Sequence, residues 1–137
     1  MEEIDILART LYGEARGEYK RVDGGIVSLL AVASVIKNRS LRGGWFGQTI
    51  KEICLKPHQF SCWNVNDPNR SILEAVTMKD VIFQQCMVVA QKVMNYEWPD
   101  VTWGSDHYHA NYVMPAWAIA QKPRFKIGCH LFYKLSR

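Results

Sequence analysis

The stretch LARTLYGEARGE, from Leu7 to Glu18, has the spacing of an amphipathic helix but carries a glutamate on its apolar side. Steps of four and seven residues from Leu7 reach Leu11 and Glu14, so these three side chains project from one face of a helix with 3.6 residues per turn. A carboxylate on a face that packs against a core loses hydration, which costs free energy. The position of Glu14 therefore needs a structural or chemical reason.

Two interpretations of Glu14 are compatible with this pattern. As a surface residue near a helix end, it would pair with Arg9 or Arg16. As a partly desolvated acid, it would have a raised pKa and donate a proton to a leaving oxygen, as the acid of a glycosidase does. Glu18 lies four residues on and would suggest a retaining pair of carboxyl groups in a continuous helix. Because Gly17 argues against continuity, we expect Glu18 to be a supporting or turn residue.

The composition is typical of one globular domain. The chain has 137 residues, of which 48% are hydrophobic and 22% are charged, so it can bury a core without disulfide staples. We expect a single domain over residues 1–137. The longest apolar stretch, Ile26 to Ile36, is interrupted by serines and is shorter than the roughly 20 residues that cross a bilayer. No membrane insertion is expected.

Cysteine usage and charge narrow the possible environments and partners. Four cysteines, at positions 54, 62, 86 and 129, are scattered without a C-x-x-C pair, which favours reduced, buried thiols. The formal charge of +4 is spread along the chain, which favours attraction to an anionic surface over nucleic acid. The acidic start MEEIDILART lacks the features of a secretory signal, so we expect synthesis in the cytoplasm without a signal peptide.

The hydrophobic periodicity predicts a helical body. The first helix is expected from Ile4 to Ala15, with Gly17 ending it. A second, strongly apolar helix is expected to begin after Gly24 and Gly25 and to end near Arg39. Its composition makes it the central helix of the fold.

Further helical segments are expected in the middle of the chain. A short helix from Gln48 to Leu55 precedes a polar loop from His58 to Asn69, whose length suggests a functional role. The helical pattern returns from Ser71 to Met94, and a kink near Thr77 and Met78 is compatible with the sequence.

The C-terminal part of the chain is rich in aromatic and β-branched residues. The segments Val101 to Tyr112 and Phe125 to Tyr133 suit two strands, and the segment Pro115 to Pro123 joins them. The sequence therefore predicts an α+β fold, in which a helical body is followed by a C-terminal β-hairpin with a long, partly helical connection.

The histidines of the predicted strands offer an alternative chemistry. His107 and His109 alternate on one strand and so face the same side, and His130 lies on the partner strand. Three imidazoles can hold a catalytic zinc ion with an open position. The sequence contains no H-E-x-x-H motif, and strand histidines more often pack or form hydrogen bonds. Zinc is therefore the lesser hypothesis, and we expect no metal and no cofactor.

Aromatic residues are candidates for both core packing and ligand contact. Most of the tryptophans and tyrosines are expected in the core. Trp63 and Trp117 fall in predicted loops, where they could stack on sugar rings.

Five segments of the chain together resemble one family. They are LARTLYGEARGE, VASVIKNR, PHQFSCWN, HYHANYVMPAW and IGCHLFY. In this order they are similar to the SleB-like cell wall hydrolases, the catalytic-domain family of spore-cortex lytic enzymes that also occurs in phage endolysins. The resemblance implies a small lysozyme-like or transglycosylase-like fold, peptidoglycan as substrate and one catalytic glutamate in the G-E-A-R segment, here Glu14.

The same resemblance implies supporting residues around Glu14. Glu18 matches the second acidic position of GEARGE. The substrate cleft would be lined by Gln59, Phe60 and Ser61, and its β-side wall would be formed by Tyr108, His109, His130 and Tyr133.

The predicted reaction is cleavage of the glycan strand between N-acetylmuramic acid and N-acetylglucosamine. We expect a monomeric lytic transglycosylase that binds peptidoglycan glycan strands and uses Glu14 as general acid and base. A muramidase on the same bond, a zinc-dependent N-acetylmuramoyl amidase and a non-catalytic wall-binding module stay open as alternatives. With neither export signal nor separate wall-binding domain, the sequence favours a phage or prophage endolysin that reaches the cell wall by holin-type lysis or from a virion.

Overall fold

A helical body precedes a small antiparallel sheet in the computed structural model, which describes residues 1–135. The helices are α1 (Glu3–Tyr19), α2 (Ile26–Arg42), α3 (Ile50–Leu55), α4 (Pro68–Ala75) and α5 (Val81–Met94). The strands are β1 (His107–Ala110), β2 (Phe125–Ile127) and β3 (His130–Tyr133). Short 3-10 turns cover Gly44–Phe46, Ser61–Trp63 and Ala116–Ala118. The α+β prediction is confirmed.

Helix α1 continues through Gly17, so the prediction that this glycine ends the helix is wrong. Glycine inside a helix costs about 1 kcal/mol relative to alanine. Tertiary contacts hold the last turn in spite of that cost: Glu18 Oε1 accepts a hydrogen bond of 2.6 Å from the backbone N–H of Cys129, and Tyr19 packs against the core. Glu14 therefore lies in the second half of a continuous helix.

Helix α2 forms the centre of the body, as its composition predicts. Leu29, Val32 and Ile36 are fully buried, and the helix packs against both α1 and α5. It runs three residues beyond the predicted end near Arg39 and stops at Gly43, whose φ of 69° lies in the left-handed region.

The predicted helix from Ser71 to Met94 is two helices rather than one kinked helix. The backbone turns extended at Val76 after α4, and the Asp80 side chain accepts a hydrogen bond of 3.0 Å from Phe83 N, which caps α5. Helix α4 begins inside the predicted loop, where Asp67 Oδ1 accepts from Asn69 N at 2.8 Å. Two local N-caps thus break one continuous hydrophobic pattern.

The sheet has three strands in the order β1-β3-β2, with both pairs antiparallel. The predicted second strand is itself a hairpin that turns at Gly128, which has φ 55°, and Cys129. The first strand is much shorter than predicted, because the carboxylate of Asp100 accepts hydrogen bonds from Thr102 N and Gly104 N and holds the preceding segment as a loop.

Two further predictions concern the cysteines and the membrane. All four cysteines are free thiols, and Cys54, Cys62 and Cys86 are buried. In the part of the chain that the structure describes, no helix is long and apolar enough to cross a membrane.

Candidate functional site

Glu14 lies where α1 meets both the sheet and the turn Ser61–Trp63. Tyr108 on β1 donates a hydrogen bond from its hydroxyl to Glu14 Oε1. Cys62 donates to the same carboxyl group from its backbone N–H and its thiol. Glu14 keeps partial solvent exposure, although its carboxyl group lies in densely packed surroundings. An acid on the apolar face of α1 is thus held by donors from two distant segments.

Burial raises the pKa of Glu14 above its ordinary value, and the negative charge of Asp67 acts in the same direction. The hydrogen bonds from Tyr108 and Cys62 lower this pKa, because they stabilise the carboxylate, but burial outweighs them. Burial and the Glu14 charge also hold the pKa of Tyr108 well above its ordinary value. Tyr108 therefore remains a hydrogen-bond donor at neutral pH.

Arg9 and Arg16 do not supply the ion pair that the surface interpretation of Glu14 requires. Arg9 Nε lies 3.1 Å from Asp5 Oδ1, and its Nη1 bonds to backbone carbonyls at the end of α4. Arg16 Nη2 donates to Asn69 Oδ1 at 2.6 Å. Both guanidinium groups bond to other partners, so Glu14 lacks the ion pair of the surface interpretation.

Arg39 is a buried cation near this carboxyl group that the sequence analysis did not single out. The residue is 8% exposed, and its Nε donates a hydrogen bond of 2.8 Å to Asp106 O. Its guanidinium lies 4.7 Å from the ring centroid of Phe46, and its charge acts on both Tyr108 and Glu14. Burial lowers the pKa of Arg39. In the sequence, Arg39 lies three residues after Ile36, on the apolar face of the predicted second helix, and this position indicates that its side chain is buried.

Gly13 explains how the Ser61–Trp63 turn comes so close to Glu14. A Cβ atom at position 13 would lie 2.8 Å from Cys62 Sγ and 2.8 Å from Leu73 Cδ2, closer than real Cβ atoms approach. Only glycine fits without displacing the turn. Gly13 therefore lets the Ser61–Trp63 turn pack closely against α1, and this turn carries Cys62, which donates to the neighbouring Glu14.

Glu18 ties the end of α1 to the β2–β3 turn. Its Oε1 accepts from Cys129 N at 2.6 Å, and a Cβ atom on Gly128 would lie only 2.5 Å from that oxygen. This carboxylate is engaged with backbone one helical turn from Glu14. The arrangement favours the expected supporting role of Glu18 over a retaining pair.

The four residues of the expected β-side wall divide between the two faces of the sheet. Tyr108 and His130 share the face toward α1, with ring centroids 5.1 Å apart. His109 and Tyr133 stack on the opposite face at 5.3 Å, where His109 Nε2 lies 2.8 Å from the Tyr133 hydroxyl. A carbonyl oxygen can only accept, so His109 Nδ1 donates to Ala110 O at 2.7 Å, and in that tautomer Nε2 accepts from the Tyr133 hydroxyl.

His130 is buried on the Glu14 side of the sheet. Burial lowers its pKa, and its Nδ1 has no hydrogen-bond partner among the described residues. Its ring packs against Tyr108, so it supports the phenol that contacts Glu14.

The three-histidine zinc hypothesis is wrong. His107 and His109 do share a face, but the register pairs His109 with Leu131 and therefore directs His130 to the other face. His107 Nδ1 instead lies 2.9 Å from Asp106 Oδ1. Within residues 1–135, no group of three or more His, Cys, Asp or Glu side chains is placed to hold a metal ion.

The expected cleft residues 59–61 have different surroundings. Gln59 Nε2 donates to Ile53 O at 2.9 Å and to Phe46 O at 3.2 Å, so its amide braces the neighbouring segments. Phe60 is 3% exposed and lies under the Arg39 guanidinium. Of the three expected residues, Ser61 is the exposed one.

Neither of the two tryptophans predicted in loops, Trp63 and Trp117, is fully exposed. Trp63 is 9% exposed, and its Nε1 donates to Thr10 Oγ1 at 2.9 Å, so it belongs to the core and the sugar-stacking hypothesis is wrong for it. Trp117 is half-buried and packs edge-on against Tyr133 and His109.

Residues 26–133 match the family model described as Cell Wall Hydrolase. The chain belongs to the Cell Wall Hydrolase family. It is thus a cell wall hydrolase, an enzyme that acts on peptidoglycan. The match begins at Ile26, after the helix that carries Glu14.

Two solved structures extend the likeness to nearly the whole chain. The catalytic domain of the germination-specific lytic transglycosylase SleB from Bacillus anthracis has a TM-score of 0.70 and 23% identity, over 96% of this chain and 93% of that one. The catalytic domain of the Bacillus cereus SleB protein has a TM-score of 0.68 and 23% identity, over 96% and 89% of the two chains. No curated protein matches. This likeness confirms the predicted fold, and the family match over residues 26–133 confirms the resemblance to the cell wall hydrolases.

Replacing Gly13 by alanine is expected to destabilise the protein by about 1–3 kcal/mol, because the added methyl group overpacks against Cys62 and Leu73. Gly17→Ala is the matched control: a Cβ atom there meets nothing within 4 Å, so it should stabilise the helix by about 0.4–1 kcal/mol. Denaturant unfolding measures both. Equal stability of the two variants would contradict the packing role of Gly13.

Tyr108→Phe is expected to raise the pKa of Glu14 further, since it removes a donor that stabilises the carboxylate. The alkaline limit of peptidoglycan lysis should then move to higher pH, as measured by turbidity loss across a pH series. Tyr133→Phe makes the same chemical change on the opposite face of the sheet and should leave this limit in place. A shift to lower pH in Tyr108→Phe contradicts the assignment.

Glu14→Gln is expected to flatten one part of the dependence of stability on pH. Because the folded pKa is raised, the native state binds this proton more tightly than the unfolded state does. The stabilisation is complete below the unfolded pKa and is lost as pH rises through the folded pKa. Thermal melts across pH should show Glu14→Gln gaining stability relative to the wild type over that window; a relative loss is the contrary result.

Proposed function

We propose that the protein cleaves the glycan strand of peptidoglycan between N-acetylmuramic acid and N-acetylglucosamine, as a lytic transglycosylase with Glu14 as general acid and then general base. The observation that carries this proposal is a partly exposed carboxyl group whose pKa is raised by burial and whose Oε1 is held by Tyr108. An acid of this kind stays protonated to higher pH than a solvated carboxyl and is fixed in one orientation.

In the first step, protonated Glu14 gives its proton to the glycosidic oxygen while the bond from that oxygen to C1 of the muramic acid breaks. The leaving sugar departs with a hydroxyl group, and positive charge develops at C1. In the second step, the Glu14 carboxylate takes the proton from the C6 hydroxyl of the same muramic acid as its oxygen bonds to C1. The products are a 1,6-anhydro end and a regenerated acid, without a second protein carboxylate.

The donors around Glu14 suit both steps. Burial favours the protonated form that the first step consumes, whereas Tyr108 and Cys62 stabilise the carboxylate that the first step produces. The positive charge of buried Arg39 also favours the carboxylate. A pKa raised by burial but limited by these partners matches a group that must both lose and regain a proton.

Two further observations support a single acid. Glu18 Oε1 is bonded to Cys129 N, and Asp67 Oδ1 caps α4. The solved structures of similar fold include one described as a lytic transglycosylase domain.

Hydrolysis of the same bond by water is the competing outcome. The phage or prophage lysis role stays a prediction from the sequence.

Glu14→Gln should lower the lysis of purified peptidoglycan by about a hundredfold or more, because the amide keeps the shape but cannot transfer the proton. Glu97→Gln is the control for a carboxylate-to-amide change. Glu97 is exposed, and its carboxylate pairs with Lys92 and not with the residues around Glu14. It should keep wild-type activity. Retention of more than roughly a tenth of the activity in Glu14→Gln rejects Glu14 as the acid.

Mass spectrometry of the wild-type digest identifies the reaction in the same experiment. Anhydro-muramic ends are the expected product. Reducing muramic ends would replace the transglycosylase by a hydrolase that uses the same Glu14, and freed stem peptides would reject glycan cleavage altogether.

A further inference from the structure

Trp45 presents an exposed aromatic ring outside the Glu14 site. It is 74% exposed in the 3-10 turn Gly44–Phe46, which joins α2 to α3, while the adjacent Phe46 is 8% exposed. Glycines with positive φ flank the turn, and a Cβ atom on Gly47 would lie 3.2 Å from Ile53 Cγ1. The buried Phe46 and the close contact at Gly47 anchor the turn. Trp45 is therefore an exposed side chain on a turn whose backbone is anchored to the core.

One face of the indole is already occupied. Lys56 Nζ lies 3.7 Å from the ring centroid of Trp45 and also donates a hydrogen bond to Trp45 O. Phe46 meets the ring at an interplanar angle of 75°, edge to face. Because the residue is still 74% exposed, the ring face opposite Lys56 is open to solvent.

Two grooves border Trp45. The first, of about 550 Å³, is lined by Arg42 and His107 as well as by Trp45 and Phe46. The second, of about 560 Å³, is lined by Trp45, Phe46 and Lys56, and also by Lys51 and Glu52. Each volume is in the range of small-ligand sites, about 300–1,000 Å³. Trp45 thus lines two concave surfaces, each of which also carries at least one basic residue.

This surface is separate from the catalytic carboxyl group. Phe46 lies between Trp45 and Arg39, with the Arg39 guanidinium 4.7 Å from its ring centroid. Arg39 in turn is the cation whose charge acts on Tyr108 and Glu14. A ligand on Trp45 would therefore contact the protein beyond the Phe46–Arg39 pair and not at Glu14.

We propose that Trp45 is the platform of a second binding site for the peptidoglycan strand, with a sugar ring stacked on its open face. The apolar C–H face of a pyranose suits the electron-rich face of an indole. Arg42 and Lys56, on a chain of net charge +4, complement the carboxylates that the strand carries on its stem peptides. The inference rests on the proposed function for the identity of the polymer.

A second contact has a specific use for an enzyme that acts on an insoluble polymer. A strand held at Trp45 raises the effective concentration of neighbouring sugars at Glu14, so affinity for the wall increases without new contacts at the reacting bond. Contact at Trp45 would strengthen binding to long strands and would leave the proton-transfer steps at Glu14 unchanged.

Binding is measured by co-sedimentation with purified sacculi in the Glu14→Gln background, in which cutting of the wall is expected to be about a hundredfold slower. Trp45→Ala and Trp45→Leu should each bind about tenfold more weakly, the loss typical of truncating an aromatic anchor, whereas Trp45→Tyr should bind nearly as well as the parent. Trp103→Ala is the matched control, because Trp103 is 73% exposed, and it should bind like the parent. Thermal melts check that each variant is folded.

Unchanged binding by folded Trp45→Ala and Trp45→Leu would overturn the proposal, as would an equal loss in Trp103→Ala or no binding by the parent. Failure of glycan cleavage, the part of the proposed function on which this inference rests, gives a different result: the wild type would release no anhydro-muramic or reducing ends, while the effect of Trp45 on sacculus binding would remain. The two proposals therefore fail separately.

Discussion

The hydrogen bond from Tyr108 to Glu14 is the interaction on which the site depends, because it joins two residues that are 94 positions apart in the chain. A carboxyl group on the apolar face of α1 is costly to bury without partners. Its partners come from β1 and from the turn that carries Cys62, so the helical body and the sheet must both be folded before the acid is complete. Gly13 admits that turn, and Glu18 fixes the sheet to the end of the same helix.

The site balances two opposing effects on one carboxyl group. Burial raises the pKa of Glu14, and the donors Tyr108 and Cys62 lower it. Buried Arg39 adds a positive charge that also favours the carboxylate. Its guanidinium packs on the Phe46 ring and donates to the Asp106 carbonyl. A group used as an acid and then as a base needs both effects, because neither protonation state can be too stable. The packing of the fold and its proposed chemistry therefore rest on the same few contacts.

The sequence predicts the features that depend on local spacing and misses those that depend on distant partners. The spacing of Leu7, Leu11 and Glu14 correctly places a carboxyl group on the buried face of a helix. The continuation of α1 past Gly17 depends on a bond to Cys129, 111 positions away, which no local pattern contains. Alternation correctly places His107 and His109 together, but the face of His130 depends on where the chain turns within the second predicted strand.

The pKa of Glu14 itself provides the most direct test of the proposed chemistry. A titration of its side-chain carboxyl carbon by NMR, with Glu14→Gln used to assign the signal, measures that value in the folded protein. We expect a pKa above the ordinary 4.5, because burial outweighs the hydrogen bonds to the carboxylate. A pKa at or below 4.5 would contradict it, since Glu14 would then be ionised like a solvated carboxylate and could not serve as the proposed buried acid.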